Sequence, residues 1–481
     1  MRAAPESSAG PLIRAARAAR VTRGIRGVVP TAPTACLLPL LLLLVLVIVR
    51  LPWAGDLGIH AATVERLRHD LRHPGNPLVA ADTPSPYYSP WTLLLGCLAK
   101  VTGLGVFVVL RVAALAGLAL LVTGVRHFVR TLSAHRWAPP LALYCLLLLW
   151  GPALFDWSGF LGLHSLALTI AYPSTFALGL SFHLWALLRE NPGDRGWPGS
   201  LALGALWALI LLTHQFTGVV ATLGALAMLA GARPWPPRAA LIRLGGGLAL
   251  GLAVLAVWPY YSFFDLLRSG GGLEQIHRSL YRHVVPHFGV ALLGVAALGL
   301  RLRRDRRDPL ALFFALGAVV FAAGGVTGHY SWGRVLPAAL IPAQVAAALE
   351  VLGLAGAAAR RCGAALLGAA LILGAWTQSG TLGYVVPRGA LPSSLAARYE
   401  PPWPGYDWLL PRVRYGDVVL AKTFPSRQIP AYGPYTVAPG YPDFFLPDER
   451  SRLAAVRTYF SPTSSRSDRL AVLRRYGVRW V

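Results

Sequence analysis

The chain has 481 residues, of which 55% are hydrophobic and only 14% are charged, and its formal net charge is +25. Soluble domains carry about 25% charged residues, so this composition excludes an ordinary soluble domain and favours a membrane protein. In a soluble protein the positive charge would indicate nucleic-acid binding, but here the arginines fall mostly in short loops between apolar runs, where they set membrane topology. Nucleic acid is therefore not expected as a partner.

Three regions differ in composition. Residues 1–34 carry six arginines among small residues, which predicts a disordered, basic cytoplasmic tail. Residues 35–384 are dominated by apolar runs and form the predicted transmembrane domain. Residues 385–481 begin Pro-rich and continue as mixed polar sequence, which predicts a small external domain. Abundant Arg, Ala and Gly with very little Lys are typical of a GC-rich bacterial genome.

The apolar runs predict about 11 membrane spans, and hence an all-α polytopic membrane protein. The first run is too long and leucine-rich for a cleaved signal and lacks a clear cleavage site, so it is interpreted as a retained span. The predicted spans are 35–52, 105–125, 137–154, 170–188, 199–213, 216–232, 242–262, 287–302, 309–328, 335–355 and 362–380.

Arginine-rich loops alternate with arginine-poor loops along this series, which places the N-terminus in the cytoplasm and the C-terminus outside. If residues 91–104 also spanned the membrane, every later loop would invert and the arginine bias would favour the outside. We therefore predict that 91–104 is an amphipathic helix on the outer surface. The predicted location is the plasma membrane, crossed many times.

The predicted external domain has alternating strand and helix patterns. Residues 417–421 are interpreted as a strand, 448–459 and 467–476 as short helices, and 478–481 as the start of a strand. The four cysteines, Cys36, Cys97, Cys145 and Cys362, lie mostly in apolar segments without metal-ligand spacing, so neither a disulfide framework nor a thiolate metal site is predicted.

The first external loop, residues 53–104, holds the most informative polar residues. Asp56 stands directly after the first span, near the N-cap of a helix predicted over 57–72, and His60 shares its face one turn later. A carboxylate at the membrane edge is costly unless it is used. A plain N-cap is the alternative for Asp56, and an interfacial face is favoured for His69 and His73.

Further along this loop stand Tyr87-Tyr88-Ser89-Pro90-Trp91, then Gly103, Gly105 and a span opening with Leu110-Arg111-Val112-Ala113. This order of features resembles that of the GT-C glycosyltransferases. It consists of an acid after the first span, a helix, Tyr-x-Pro, a surface helix and an arginine early in the next span. It is most similar to the aminoarabinose transferase and protein O-mannosyltransferase branch. The motif resemblance covers residues 56–125, and the rest of the chain follows by topology.

The resemblance implies a GT-C-like fold and transfer of a sugar from a polyprenyl-phosphate donor to a cell-envelope glycan, lipid or protein. It implies inversion, with Asp56 as the base, and a second acid in the next external loop, where Asp156 is found; Asp82 is a weaker candidate. Leu57 stands where a second acid often follows the first. A divalent metal is thus an open possibility, and its ligands are unknown.

A departing phosphate requires cations near the outer surface. The predicted substrate-binding residues are those polar or basic residues of the outer loops that could line one cavity; they are His60, Tyr88, Lys100, His214, Arg278, Arg282 and Arg334. For Arg334, snorkelling to the interface is the alternative interpretation. Tyr172-Pro173 is interpreted as an interface belt and kink rather than a sugar platform.

No Walker A sequence, GxGxxG fingerprint or nucleophile elbow is found, so no nucleotide cofactor is predicted. Two alternatives to the enzyme are kept. A lipid or glycan transporter, or flippase, would need charged residues within the spans, which are almost free of them. A non-catalytic envelope-assembly protein would explain Leu57 in place of a second acid.

Overall fold

The computed structural model describes residues 32–190, 195–268 and 274–481. Most of the predicted tail, residues 1–31, lies outside the described residues. We number the helices of seven or more residues in chain order. They are α1 Leu38–Arg50, α2 Leu57–His69, α3 Pro90–Thr102, α4 Val106–Leu132, α5 Ala138–Leu148, α6 Leu163–Thr169, α7 Pro173–Glu190, α8 Gly196–Thr213, α9 Gln215–Ala230, α10 Arg238–Ala256, α11 Leu292–Arg304, α12 Pro309–Thr327, α13 Pro337–Gly353, α14 Ala357–Thr377, α15 Glu449–Phe460 and α16 Arg466–Arg475.

Shorter helical segments connect these elements. The α-helical ones are Ala32–Ala35, Phe263–Arg268, Glu274–His277, Val284–Phe288, Ser393–Ala396 and Thr423–Ser426. Those of 3₁₀ type are Arg278–Tyr281, Gly289–Ala291, Tyr330–Val335, Ser379–Tyr384, Arg388–Ala390, Asp407–Leu409 and Ile429–Tyr432.

The described residues contain eight helices long and apolar enough to cross a membrane. The pair α6 and α7 passes the same criterion if counted as one bent span, and α5 and α9 are shorter apolar helices. Each of these eleven segments overlaps one of the eleven predicted spans. The predicted fold class, an all-α polytopic membrane protein with a small α/β domain toward the C-terminus, is confirmed.

Two predicted spans have different boundaries. The predicted span 170–188 corresponds to α7, which begins at Pro173; the short helix α6, which was not predicted, precedes it and is bent from it by 118°. Proline has no N–H and its ring clashes with the preceding turn, so the chain breaks here and starts again with Pro173 as the first residue of α7. The predicted span 137–154 ends at Leu148. Both changes lengthen the loop between α5 and α7 in which candidate site residues lie.

Helix α13 is the most deeply buried of the candidate spans, and its alanine-rich surface explains why. A Cβ added to Gly317 of α12 would lie 2.6 Å from the Ala338 carbonyl carbon, and one added to Gly294 of α11 would lie 2.1 Å from the Ala343 oxygen. Small residues let apolar helices approach closely where the bilayer gives no hydrophobic drive between them. Helices α11 and α12 therefore pack directly against α13.

The first loop is folded against the helix bundle rather than extended. Helix α2 ends at His69, three residues earlier than predicted, because Asp70 is extended and its side chain accepts hydrogen bonds from the Arg72 and His73 amides. Helix α3 begins with a capping box of Ser89 and Thr92 and ends at the left-handed Gly103. The amphipathic helix predicted over 91–104 is therefore confirmed as a helix.

The C-terminal region contains a three-stranded parallel sheet in the order β2-β1-β3, with β1 Val418–Val419, β2 Tyr435–Thr436 and β3 Val478–Trp480. Helices α15 and α16 lie between β2 and β3, close to their predicted positions. The first loop joins this sheet, because Val79 forms a parallel bridge to Thr436 and the Thr436 amide donates to the Leu78 carbonyl at 2.9 Å. This contact brings the C-terminal domain over α2 and the residue that precedes it.

Candidate active site

The turn before α2 is fixed by two tyrosines that are distant in sequence. The Tyr172 hydroxyl, from the break between α6 and α7, donates to the Ala54 carbonyl. The Tyr441 hydroxyl, from the C-terminal domain, donates to the Gly55 carbonyl at 2.7 Å. Gly55 has φ +48, and a Cβ there would lie 3.2 Å from the Tyr172 oxygen, so glycine suits this position. The backbone on the N-terminal side of Asp56 is thus held from two sides.

Asp56 is the N-cap residue of α2, but its side chain makes no capping hydrogen bond. The carboxylate is half-buried, and it has no hydrogen-bond or ion-pair partner among the described residues. Burial raises the pKa of Asp56, while Arg334 and then Arg427 act in the opposite direction. Removing an acid from water without a partner is costly, so a structural capping role does not explain this carboxylate.

His60 and Tyr87 lie beside Asp56 and also have unpaired polar atoms. The His60 ring contacts the rings of Tyr172, Tyr87 and Trp91 edge-on, with centroids 4.9, 5.8 and 5.9 Å away. His60 is 5% exposed, its buried Nδ1 has no partner, and burial lowers its pKa to about 3, so the imidazole is neutral near pH 7. Burial first and Asp56 second raise the pKa of Tyr87, whose hydroxyl has no partner within the described ranges.

Arg334 supplies a buried cation on the other side of the site. It lies in the 3₁₀ turn Tyr330–Val335 and is only 6% exposed. Its Nη2 donates to the Ser158 hydroxyl at 2.9 Å, and its guanidinium lies 5.1 Å from the Trp157 ring centre and 4.7 Å from that of Phe216. No carboxylate pairs with it within 4.0 Å in the described part of the chain, so hydrogen bonding and cation–π contacts hold it in place.

His214 lies between α8 and α9, close to Arg334. A Cβ added to Gly159 would be 3.6 Å from the His214 ring and 3.9 Å from Arg334 Nη2, so the three residues meet at one point. The His214 Nδ1 accepts from the Thr217 amide and caps α9. Burial first and Arg334 second lower the pKa of His214. The neutral ring that accepts at Nδ1 carries its proton on Nε2, which is left as a donor.

The C-terminal domain contributes Arg427 in addition to Tyr441. Its Nε donates to the Gly440 carbonyl at 3.0 Å, and its guanidinium lies 5.8 Å from the Trp403 ring centre and 5.4 Å from that of Tyr441. A Cβ at Gly58 would lie 1.8 Å from the Arg427 carbonyl oxygen, so the segment packs directly on the first turn of α2. Only glycine at position 58 permits this approach.

Of the predicted site residues, the structure places Asp56, His60, His214 and Arg334 near one another. Two other predicted residues lie in different surroundings. The Tyr88 hydroxyl donates to the Gly75 carbonyl at 2.8 Å, and its ring is buried against Tyr260. Lys100 is exposed and donates to the His69 carbonyl at 2.9 Å.

The remaining predicted residues are also outside this cluster. Asp156 is exposed, and desolvation and then Glu400 raise its pKa, with no influence from Asp56 or Arg334. Arg278 is exposed over the Tyr330 ring, with 5.6 Å from its guanidinium to the ring centre. Arg282 is exposed as well.

Four site residues were not among the predicted ones. Tyr87 lies in the motif that was recognised, but its neighbour Tyr88 was selected, and only the turn geometry decides which ring faces Asp56. Tyr172 was interpreted as an interface residue. Arg427 and Tyr441 lie almost 400 residues from Asp56 in sequence, and no local pattern indicates that they return to it.

The donor set around Asp56 does not fit a divalent metal. Such a metal prefers several carboxylate or carbonyl oxygens, whereas the charged neighbours of Asp56 are Arg334 and Arg427. Within the described ranges, no three His, Cys, Asp or Glu residues are grouped as a metal site requires. No metal-dependent step is therefore proposed.

No protein-family model matches the sequence, and no characterised protein matches it significantly. Among solved structures, the chain is similar to the oligosaccharyltransferase of Archaeoglobus fulgidus. The structure of that protein in complex with Zn and sulfate has 14% identity and a TM-score of 0.45, over 92% of this chain and 67% of that one. The structure tethered to an acceptor peptide with the NVT sequon has 13% identity and a TM-score of 0.43, over 92% and 68%.

Proposed function

We propose that this protein is a GT-C-type membrane glycosyltransferase that moves a sugar from a polyprenyl-phosphate donor to a cell-envelope acceptor on the external face. The observation that carries the proposal is the group of unpaired polar atoms around Asp56. Within the described ranges, the Asp56 carboxylate, the Tyr87 hydroxyl and the His60 Nδ1 have no hydrogen-bond partner, and they lie near a buried arginine. Buried polar groups are normally paired, so such a cluster indicates a substrate that completes it.

Asp56 acts as the base in this proposal. An acceptor hydroxyl attacks the anomeric carbon of the donor sugar from the face opposite the phosphate, and its proton passes to the Asp56 carboxylate. The new carbon–oxygen bond forms as the bond from the anomeric carbon to the phosphate oxygen breaks, which inverts the configuration. The bonding electrons leave with polyprenyl phosphate. The raised pKa of Asp56 suits proton abstraction, because a more basic carboxylate takes a hydroxyl proton more readily.

Arg334 stabilises the phosphate as it leaves. Ser158 and two aromatic rings already hold the guanidinium in place, so the charge needs no rearrangement during the reaction. Its position at the start of the α13 segment suits a phosphate at the membrane surface whose lipid tail lies among the spans. Arg427 supplies a second cation from the C-terminal domain, on the side of the site where that domain covers α2.

Neutral hydrogen-bonding groups position the sugar. His60 and Tyr87 offer an imidazole nitrogen and a hydroxyl within an aromatic enclosure, and His214 offers Nε2–H. Tyr88 and Lys100 take no part, because their polar atoms are bonded within the first loop. Asp156, Arg278 and Arg282 stay predictions. The proposed orientation places the N-terminus in the cytoplasm and the C-terminal domain outside.

The test compares the wild type with Asp56→Asn in purified, reconstituted protein. Each is incubated with a panel of polyprenyl-phosphate sugars, and release of polyprenyl phosphate is measured. We expect release by the wild type and a loss of roughly a thousandfold in the variant. Asp82→Asn is the matched control, because Asp82 is an exposed aspartate of the same loop. Its activity should equal that of the wild type.

The outcomes separate the alternatives. Equal activity of Asp56→Asn and the wild type would remove Asp56 from the mechanism. A wild type that releases nothing but moves a labelled lipid-linked sugar between leaflets would favour the transporter or flippase. A wild type without either activity would favour a non-catalytic assembly role.

A further inference from the structure

A cavity lies at the end of the helix bundle opposite Asp56. It has a volume of about 430 Å³ and opens between the N-terminal part of α1, the C-terminal part of α4 and the start of α5. Arg111, near the start of α4, donates to the carbonyl of Val49 at the end of α1, so the two helices run antiparallel. Arg126 lies fifteen residues further along α4, which at 1.5 Å per residue is about 22 Å away.

The walls of this cavity are apolar and three arginines lie along its rim. The apolar walls come from three helical regions, namely Pro33, Leu37, Leu41, Val122, Val125, Pro139, Pro140 and Leu143. The basic residues are Arg126, Arg130 and Arg136, and no Asp or Glu is among the lining residues. All three arginines are exposed, and none forms an ion pair with a carboxylate in the described part of the chain. Of the three, Arg130 is the one that hydrogen-bonds to a described residue, donating to the Ala134 carbonyl at 3.0 Å.

The wall on the α1 side is fixed in place by two hydrogen bonds. The Tyr144 hydroxyl of α5 donates to the Cys36 carbonyl at 2.6 Å, and the Cys36 thiol donates to the Pro33 carbonyl at 3.1 Å. These bonds hold the short helix Ala32–Ala35 and the first turn of α1 against α5. The cavity is therefore bounded by structured elements on its sides.

We propose that this cavity binds an anionic phospholipid of the bilayer, with the phosphate headgroup at the three arginines and the first methylenes of the acyl chains along the apolar walls. Guanidinium groups are strong phosphate ligands, and three unneutralised cations without a nearby acid are complementary to an anionic group. The volume suits a headgroup and part of its tails. The preceding segment of this chain is a poor alternative occupant, since residues 1–31 hold six arginines and a single acid, Glu6.

This proposal does not depend on the glycosyltransferase function. If the arginines only set topology, they would attract anionic lipid non-specifically, in proportion to their number and wherever they lie. A specific site instead retains one lipid at one position, and it needs both the charges and the open volume of the cavity. The test therefore varies the charge and the volume separately.

The experiment uses the full-length protein in nanodiscs that contain equal amounts of phosphatidylglycerol and phosphatidylcholine. Native mass spectrometry after release from the nanodisc counts the lipids that stay bound. We expect the wild type to retain one phosphatidylglycerol in strong preference to phosphatidylcholine. Each arginine near an anionic surface is worth roughly a fivefold preference, so R126A/R130A/R136A should lower it by roughly a hundredfold. The triple lysine variant should keep most of it, because it keeps the charge.

Two variants test the position of the lipid. The control R303A/R360A/R361A removes three exposed arginines that line neither this cavity nor the Asp56 site, and it should leave the preference unchanged. Val122→Trp narrows the cavity with all arginines present, and it should lower retention.

Three results would overturn the proposal: equal retention of both lipids by the wild type, an equal loss in the control, or undiminished retention in Val122→Trp. If the triple alanine variant does not fold, as judged by gel filtration, Arg136→Gln in the loop before α5 replaces it, with an expected loss of roughly fivefold.

Discussion

Helix α2 has a charged residue near each end, and the two have opposite surroundings. Arg66, in the last turn, is fully buried. Its guanidinium donates to the carbonyls of Gly433 and Pro434 at 2.6 Å each and to that of Pro77 at 3.4 Å, and it lies 3.7 Å from the centre of the Tyr435 ring. Asp56, at the first turn, has no such partners. Both residues contact or face the C-terminal domain.

The difference distinguishes a structural charge from a functional one. Every strong interaction available to Arg66 is made within the protein, so Arg66 fastens the first loop to the C-terminal domain and leaves nothing for a ligand. The surroundings of Asp56 instead contain two cations at a distance, and a His60 nitrogen and the Tyr87 hydroxyl that have no partner in the described part of the chain. A substrate would supply the missing interactions, and the free protein bears the cost of their absence.

The largest effects are expected from substituting each of the two residues, Asp56 and Arg66, in turn. Asp56→Asn should lower activity by roughly a thousandfold without loss of stability, since it removes a base and no contact. Arg66→Met should lower the free energy of unfolding by about 3 kcal/mol, because three buried carbonyls lose their donor. Activity assays and thermal unfolding of both variants measure this. Arg68→Met, at a partly exposed position two residues further on, should cost less than about 1 kcal/mol.

Arg334 tests whether a buried cation can also be functional. Arg334→Gln should lower kcat by roughly a hundredfold, because a positioned charge no longer stabilises the leaving phosphate, and Arg334→Lys should recover part of the loss. Arg303→Gln, at an exposed position of α11, is the control and should match the wild type. If all three variants kept full activity, Arg334 would belong with Arg66 as a structural charge.

Gly58 tests the contact between α2 and the C-terminal domain. Gly58→Ala places a Cβ where the Arg427 carbonyl oxygen lies, which should shift the segment that carries Arg427 and Tyr441. A displacement of this size should lower kcat/KM by roughly tenfold, and α2 itself should tolerate alanine well. Gly105→Ala is the control, because a Cβ there would meet no atom within 4 Å. Equal activities would show that the domain does not position the site.

The smallest effect is a dependence of stability on pH. Burial raises the pKa of Asp56 above its usual 3.8, so the folded state holds this proton more tightly than the unfolded state. The corresponding stability is present below pH 3.8 and is lost as the pH rises through the raised value. Asp56→Asn should therefore be more stable than the wild type at pH 7, and the two should converge below pH 3.8. The midpoints of thermal unfolding across this range measure the difference.

Ionisation of Asp56 should have the opposite effect on activity, which should rise with pH as stability falls. Because a base must be ionised, kcat/KM should rise with pH through a pKa above 3.8. The pH profile of kcat/KM should keep this acid limb in Asp82→Asn. The limb should be absent from the residual activity of Asp56→Asn, which would assign it to Asp56. The same acid limb in both variants would contradict the assignment.

Much of the fold follows from patterns within short windows. Runs of apolar residues predicted the spans, the segment 91–104 was predicted as a helix outside the span series, and the strand and helix patterns after residue 416 indicated the small α/β domain. The errors occurred where a long-range contact or a single proline decides. The break before Pro173 delayed the start of the predicted span 170–188 and placed Tyr172 against the Asp56 turn. The strands of the sheet have only two or three residues, so local sequence does not distinguish them from a loop.

The sequence by itself determined that this chain lies in a membrane, where its spans fall, and that Asp56 is an unusual acid at a membrane edge. These properties depend on composition and on neighbours within a few turns. Only the tertiary structure decided that Asp56 does not cap its helix, that Tyr87 rather than Tyr88 faces it, and that Arg427 and Tyr441 return to it from the far end of the chain. Burial and charge act through space, so a residue's neighbours in the folded protein set its chemistry.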